Sequence, residues 1–157
     1  MNLAKSIMKV PMKQNSEQKC IVKITKSASE TEDFAEEFAS TLSGGEVVLL
    51  FGDLGAGKTV FAKGVARALG ITQDIKSPTF TLCCEYFGKS LRLKHIDAYR
   101  LKNGDEAEAC GITEDFGARG VLTLIEWPEQ IESALPRNCI KIHIMRISDT
   151  ERKIEVC

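Results

Sequence analysis

Several features that would indicate a secreted, zinc-binding or membrane protein are missing from this sequence. The six cysteines include no C-x-x-C pair and only two histidines are available, so a zinc site is not expected. Nothing resembles a secretory signal, because Lys5, Lys9 and Lys13 interrupt any apolar run near the start. The longest apolar stretch, residues 47–51, is far too short to span a bilayer. These absences favour a cytoplasmic protein in a reducing compartment, without a disulfide framework.

A charge of one sign is also missing. The chain has 21 basic and 22 acidic side chains, so no global field draws in nucleic acid or an anionic membrane. Any contact with nucleic acid is expected to be local or indirect. A chain of 157 residues fits one domain, since domains commonly have about 100 to 150 residues. We expect a single domain over residues 20–157, preceded by a flexible leader at 1–19. That leader lacks the arginines of a transit peptide.

The first half of the chain alternates predicted strands and helices. Residues 20–25 read as an edge strand and the apolar run 47–51 as a buried strand of a parallel sheet. A three-turn helix is expected between them, with its apolar stripe at Phe34, Phe38 and Leu42. Its start is predicted from the capping-box spacing of Ser29 and Glu32, and its end from Gly44 and Gly45. A second helix carries Phe61, Val65 and Leu69 on one face and Gly70 as its cap.

The second half is richer in predicted strands. Residues 79–87 and 91–97 form an expected hairpin, and strands are also predicted at 121–127, 140–147 and 153–156. Alternation of strands and helices followed by several strands is typical of an α/β protein. We therefore predict a P-loop NTPase-like sandwich, in which helices flank a mixed, mostly parallel central sheet.

The glycine loop, residues 52–59, has the sequence GDLGAGKT and lies between the predicted buried strand and the second helix. It matches the phosphate-binding pattern G-x-x-x-x-G-K-[ST] in the context that the pattern requires. Glycines let the backbone N–H groups point inward, and the helix N-terminus adds positive potential. Lys58 would reach the β and γ phosphates, and the Thr59 hydroxyl would bind Mg²⁺. The backbone contacts would come from Gly52, Asp53, Leu54, Gly55, Ala56 and Gly57.

The nucleotide is expected to be ATP. A GTPase would normally carry an N-K-x-D motif and a D-x-x-G switch, and the sequence has neither. A small-molecule kinase usually clusters arginines in a lid over the transferred phosphoryl group, whereas the seven arginines here are scattered. The kinase interpretation is weakened by this pattern and stays open as an alternative.

Two carboxylates have the form that a P-loop enzyme needs to hold the Mg²⁺ shell or orient water. Asp97 and Glu126 each close an apolar strand whose carboxyl end should lie near the glycine loop. Thr79 could approach the γ phosphate in the manner of a switch threonine. The single tryptophan, Trp127, is read equally well as core filling or as a platform against a partner or the site. His95 is read as an ordinary strand histidine.

Four motifs together, GDLGAGKT, SPTFTL, HIDAYRL and IEWPE, resemble the bacterial TsaE (YjeE) family over about residues 20–157. The resemblance implies a small ATPase that binds ATP/ADP and Mg²⁺ and works with TsaB and TsaD to make threonylcarbamoyladenosine beside the tRNA anticodon. In the family, TsaD transfers the threonylcarbamoyl group, and tRNA is met mainly through the partners. Cys84 and Ala98 depart from the residues common in the family.

By this resemblance, Lys58 and the loop amides hold phosphate, and Thr59 and Glu126 hold Mg²⁺. Asp97 takes a Walker B-like place, Thr79 matches the switch threonine, and Trp127 matches a functionally sensitive tryptophan. Arg152 and residues 26–29 are candidates for the adenine pocket. A nucleotide-gated binding module, in which ATP orders the SPTF loop for docking and hydrolysis is incidental, is the alternative from a different class.

Overall fold

The computed structural model describes residues 19–157 of the chain. The strands are β1 (Ile21–Thr25), β2 (Val47–Phe51), β3 (Cys83–Phe87), β4 (Arg92–Asp97), β5 (Val121–Glu126), β6 (Ile140–Arg146) and β7 (Arg152–Val156). The helices are α1 (Ala28–Ala39), α2 (Lys58–Ala68), α3 (Gly104–Ala109) and the 3₁₀ segment Pro128–Ala134. Residues 1–18 of the predicted leader lie outside the described residues, so the leader stays a prediction.

The strands form one sheet in the order β1-β7-β6-β2-β5-β4-β3. The central pairs β6–β2, β2–β5 and β5–β4 are parallel, and the outer pairs β1–β7, β7–β6 and β4–β3 are antiparallel. β1 therefore points the same way as the four central strands, and only β3 and β7 run opposite. The prediction of an α/β protein with a mixed, mostly parallel sheet is confirmed, as is the edge position of the first strand.

The apolar core lies on both faces of this sheet. On one face, Val48 and Leu50 of β2 belong to a buried cluster with the apolar residues of α1 and α2. On the other, Val47 and Leu49 belong to a second cluster, which includes residues of α3 and the 3₁₀ segment. Alternate side chains of β2 thus enter two different cores. This is why the strand has no polar position in its first four residues.

The structure corrects the predicted boundaries of α1. The N-cap is Ser27, whose Oγ accepts a hydrogen bond from the Glu30 backbone N–H at 3.1 Å. The Glu30 carboxylate accepts a hydrogen bond from the Lys26 N–H in return. Ser29 and Glu32 were therefore the wrong pair, because Ser27 and Glu30, which have the same spacing two residues earlier, form the cap. The helix ends at Ala39, before the two glycines that were expected to stop it.

In the second half, the hairpin is confirmed but its first strand begins later than predicted. Residues 79–82 form a turn, in which Leu82 has a positive φ of 62°, and β3 starts only at Cys83. Trp127 likewise lies outside β5 and has a φ of 55°. Two short elements were not predicted: α3, capped by the Asn103 side chain, and the 3₁₀ segment after Trp127.

The cysteines differ from the expectation of a chain without disulfides. Cys20 and Cys157 form a disulfide, and their Cα atoms are 4.5 Å apart. They flank the antiparallel strands β1 and β7, whose pairing brings the two positions side by side. The four other cysteines, Cys83, Cys84, Cys110 and Cys139, are free.

Candidate functional site

The glycine loop runs from the end of β2 into the first turn of α2. Gly57 is the N-cap of α2 and has a φ of 109°, a conformation that favours glycine, and no side chain caps the helix there. At Gly52, a Cβ atom would lie 2.7 Å from the Ile144 carbonyl oxygen, so the loop passes close to β6. An N-terminus without a side-chain cap presents its backbone N–H groups outward. The loop therefore has the geometry of an anion site.

Lys58, the first residue of α2, is buried. Its Nζ donates a hydrogen bond to the Gly52 carbonyl and lies 3.7 Å from the centroid of the Trp127 ring. Burial lowers the pKa of Lys58 below its usual value, and neighbouring carboxylates, Glu126 foremost, oppose that shift. The lysine is thus held over the loop by a carbonyl and an aromatic ring, both weaker partners for a cation than a phosphate would be.

Asp97 and Glu126 lie side by side at the carboxyl ends of β4 and β5, where they are paired in register. Both are buried. Oδ2 of Asp97 accepts hydrogen bonds from Ser77 Oγ at 2.9 Å and Thr79 Oγ1 at 3.1 Å. The structure thus brings together the two predicted carboxylates and the predicted switch threonine. Ser77 was not predicted to have a role, although its position two residues before Thr79 in the same loop was the available signal.

The segment 77–82, called the switch loop from here on, also carries an exposed aromatic side chain. Phe80 is 84% exposed, and the guanidinium carbon of Arg100 lies 4.5 Å from its ring centroid. On the same side of the sheet end, Tyr99 packs against Trp127 with ring centroids 5.0 Å apart. Trp127 therefore contacts both the lysine of the glycine loop and the segment after β4, which favours a role at the site over simple core filling.

Arg152, at the start of β7, contacts the glycine loop directly. Its Nε donates to the Ala56 carbonyl at 2.7 Å, and its Nη2 lies 3.4 Å from the Gly55 carbonyl. The side chain braces the loop backbone, a contact that spacing along the chain did not predict. Of the other loop positions, Leu54 is 91% exposed and Thr59 is half-buried in the first turn of α2. Of the other adenine-pocket candidates, Ser27 is used as the cap of α1.

The donor set suits Mg²⁺ bound together with phosphate. Within residues 19–157, no three His, Cys, Asp or Glu side chains are grouped so that they could hold a metal ion. Mg²⁺ is commonly held by one or two protein groups together with substrate phosphates and water. Thr59 and the carboxylate at the end of β5 fit that partial set.

Within residues 19–157, no helix is long and apolar enough to cross a membrane.

Comparisons with known proteins agree with this geometry. The family model for the threonylcarbamoyl adenosine biosynthesis protein TsaE matches residues 25–154. A TsaE protein of Bacillus subtilis is 45% identical over 130 residues, which cover 83% of this chain and 80% of the relative. One of Treponema pallidum is 40% identical and covers 85% and 97%.

A solved structure shares the fold as well as the sequence. The crystal structure of YdiB from Bacillus subtilis superposes with a TM-score of 0.76 at 38% identity, covering 90% of this chain and 87% of that one. Both the family match and these relatives span most of the chain. The chain belongs to the TsaE family of threonylcarbamoyl adenosine biosynthesis proteins.

Proposed function

We propose that this protein binds ATP and hydrolyses it slowly, as an accessory ATPase of tRNA threonylcarbamoyladenosine synthesis that acts with TsaD-like and TsaB-like proteins. One observation carries the proposal. The glycine loop joins β2 to the N-terminus of α2, and Glu126 on the neighbouring parallel strand is in register with Leu50, two residues before the loop, with Asp97 beside it on the next strand. A phosphate-binding loop with carboxylates beside it is the minimum equipment of a P-loop ATPase.

Each residue has a role in this proposal. The loop amides of residues 52–57 and Lys58 hold the phosphates, while Thr59 and Glu126 hold Mg²⁺, which neutralises phosphate charge during the reaction. Asp97 stands in the Walker B-like place and keeps the hydroxyl of Thr79 within reach of the γ phosphate. Arg152 braces the loop. Once phosphate is present, Lys58 exchanges its carbonyl and ring contacts for phosphate oxygens, because a charge-assisted contact is stronger.

Turnover by the isolated chain is expected to be slow. Arg67 is engaged by Glu32, Asp33 and Glu36, Arg152 by the glycine loop, and Arg100 by Phe80. Since these three side chains are already engaged, we propose that an arginine finger, worth roughly 10³- to 10⁵-fold in rate, comes from a partner. The partners are therefore proposed to complete the site. The near-neutral charge of the chain agrees with meeting tRNA through them in the cytoplasm.

The proposal is tested by mass spectrometry of tRNA nucleosides from cells depleted of this protein. Complementation uses wild type, Lys58→Ala and, as a matched control, Lys63→Ala, a change of an exposed lysine on the same helix. We expect threonylcarbamoyladenosine to fall on depletion and to return with wild type and Lys63→Ala only. Modification that does not respond to depletion would refute the role in tRNA.

The site assignment has a separate test in vitro. Lys58→Ala should lose productive nucleotide binding, because the phosphates lose their lysine. Glu126→Ala should keep measurable ADP binding and lose turnover by about 100-fold or more, because the Mg²⁺ that neutralises phosphate charge loses a ligand. Calorimetry and phosphate release measure the two effects. Unchanged hydrolysis in both variants would show that the site lies elsewhere.

A second candidate function, a nucleotide-gated binding module, is favoured by the exposed Phe80 on the switch loop. The hydroxyl groups of Ser77 and Thr79, which now contact Asp97, could exchange that partner when nucleotide binds. The exchange would move Phe80 toward or away from a partner protein. Partner affinity measured with ATP, ADP and a hydrolysis-resistant analogue separates the two functions. Full multiple-turnover support of modification by the analogue would favour the module over the ATPase.

A further inference from the structure

His95 lies in the middle of β4 and is completely buried, with 0% of its surface exposed. Its Nε2 is 2.8 Å from Oε1 of Glu126. Its other ring nitrogen, Nδ1, has no hydrogen-bond partner among the described residues. A buried imidazole with one nitrogen unpaired is less favourable than an aliphatic side chain of similar volume. The residue therefore requires an explanation beyond packing.

The contact between His95 and Glu126 indicates which ring nitrogen donates the hydrogen bond. An ionised carboxylate only accepts hydrogen bonds, so Nε2 must carry a proton and donate it to Glu126. A proton on Nδ1 would be a buried donor without an acceptor, which is the costlier arrangement. The geometry therefore assigns Nε2 as the nitrogen that donates to Glu126.

The orientation of the Glu126 carboxylate depends on this one contact, whereas that of the neighbouring Asp97 carboxylate is fixed by several. Within residues 19–157, the Asp97 carboxylate accepts hydrogen bonds from Ser77, Thr79 and the Tyr99 backbone N–H. The Glu126 carboxylate has a single hydrogen-bond donor in the same part of the chain, which is His95. A glutamate has one more rotatable bond than an aspartate, so a single fixed donor decides where its second oxygen points.

We propose that His95 is a positioning residue, which orients the Glu126 carboxylate toward phosphate-bound Mg²⁺ through the Nε2–H to Oε1 hydrogen bond. The inference rests on the proposed function, since it assigns Glu126 to Mg²⁺. Hydrogen-bond donors behind a ligating carboxylate fix its orientation, and their loss typically weakens metal affinity or activity by about 10- to 100-fold.

Two substitutions separate positioning from packing. In His95→Gln, the amide nitrogen can occupy the place of Nε2 and still donate to Glu126. In His95→Asn, the shorter side chain places its amide nearer to the Nδ1 position, which has no partner. We expect His95→Asn to weaken Mg²⁺-dependent ADP binding and ATP turnover by about 10- to 100-fold, and His95→Gln to restore most of both. ADP binding without Mg²⁺ should be unchanged in the two variants.

Calorimetric titrations with ADP, with and without Mg²⁺, provide these values, and thermal melts verify that both variants are folded. In a Glu126→Gln background, His95→Asn should cause no further loss, because the residues act through one contact. Equal impairment of the Gln and Asn variants, or wild-type Mg²⁺ dependence in His95→Asn, would overturn the proposal.

A measurement on the wild-type protein covers the case in which the variants do not fold. The chain has only two histidines, so nitrogen-15 NMR of the imidazoles gives two sets of signals, which His143→Gln assigns. We expect Nε2 of His95 to carry a proton, and an Nε2 without one would overturn the inference, because it could not donate to Glu126. A wild-type protein that binds no Mg²⁺-ADP would refute the proposed function itself, whereas normal binding by a folded His95→Asn variant refutes this inference alone.

Discussion

Lys58 and Trp127 meet in a contact that the proposed nucleotide binding would change. The ammonium group lies 3.7 Å from the centroid of the ring, a cation–π arrangement worth about 0.5 to 2 kcal/mol. A lysine bound to phosphates would turn from the Trp127 ring and the Gly52 carbonyl toward the phosphate oxygens. The tryptophan should therefore sense whether the loop is occupied.

We predict that ATP or ADP with Mg²⁺ changes the emission of Trp127. It is the only tryptophan in the chain, so intrinsic fluorescence reports on it alone. The change should saturate at the affinity measured by calorimetry, be absent in Lys58→Met and persist in Lys63→Met. Saturable binding without any change in emission would show that the lysine stays on the ring.

A second buried lysine, Lys94 on β4, is paired with a carboxylate, unlike Lys58, which contacts a carbonyl and an aromatic ring. Its Nζ hydrogen-bonds to Asp115, which also accepts a contact from Arg92 Nη2 at 2.7 Å. Burial alone would raise the pKa of Asp115, but the hydrogen bond and charge of Lys94, with the charge of Arg92, outweigh it and lower the pKa below its usual value. The ionised aspartate therefore stabilises the folded state.

We predict that Asp115→Asn lowers the free energy of unfolding at pH 7 by about 2 kcal/mol, as expected for loss of a hydrogen bond between charged groups. A carboxyl group whose pKa is lower in the folded state stabilises that state fully above its unfolded pKa of about 3.9, and the contribution is lost as the pH falls below that value. Denaturant titrations should thus give a constant difference from pH 8 to 5 that narrows below about pH 4.

Asp149→Asn is the matched control for this experiment. Asp149 pairs with Arg146, but its side chain is 94% exposed, and exposed pairs contribute about 0 to 1 kcal/mol. A difference that is equally large for the two variants would contradict the importance of burial at Asp115.

Among the elements, α1 and α2 are in close contact at Gly64. A Cβ atom there would lie 2.2 Å from the Glu32 carbonyl oxygen and 2.6 Å from the Ala35 Cβ atom. Alanine is the better helix former by about 1 kcal/mol, so intrinsic propensity and packing favour opposite residues at this position. The backbone oxygen cannot move aside in the way that a flexible side chain can.

We predict that packing prevails and that Gly64→Ala lowers the free energy of unfolding by about 1 to 3 kcal/mol, the range for overpacked sites. Lys63→Ala, at the preceding exposed position, should leave stability nearly unchanged. Chemical denaturation measures both. Greater stability of Gly64→Ala would mean that the two helices separate at little cost.

How well an element could be predicted from sequence depended on its length and periodicity. The continuous run of β2 and the four-residue period of α1 indicated their structures directly, since burial on two faces or one leaves a pattern. α3 has only six residues, too few for a period, and its cap at Asn103 and Glu106 was the single local signal. Residues 79–82 of the switch loop were read as strand because their β-branched and aromatic residues resemble one.

The site could be predicted in part for similar reasons. Asp97 and Glu126 were placed correctly because the ends of parallel strands meet at one edge of a sheet. The braces on the site, Ser77 on Asp97 and Arg152 on the loop carbonyls, depend on how distant segments fold together. The Arg152 contact joins residues 96 positions apart, for which a sequence carries no period or spacing.

At the scale of the whole molecule, the Cys20–Cys157 disulfide joins positions 137 residues apart. Closing so long a loop removes much of the freedom of the unfolded chain, and disulfides typically stabilise by about 2 to 4 kcal/mol. Disulfides seldom persist in a reducing cytoplasm. A cytoplasmic protein of this sequence would therefore work in its less stable, reduced form.

We predict that a reductant lowers the free energy of unfolding of the oxidised wild type by about 2 to 4 kcal/mol. Cys20→Ser should match the reduced wild type and should not respond to reductant. In this variant Cys157 has lost its partner, and the structure shows the four other cysteines as free. Urea titrations with and without reductant measure the difference. Equal stability of oxidised wild type and Cys20→Ser would contradict the prediction.

The brace from Arg152 to Ala56 also has a consequence for how the protein is made. The two residues are 96 positions apart, so at roughly 5 to 20 residues per second the ribosome adds the arginine roughly 5 to 20 seconds after the loop. β7, on which it lies, also joins β1 to β6 in the sheet. A chain still being translated therefore contains the complete GDLGAGKT sequence without a braced loop. The loop can receive this brace only after β7 has left the ribosome.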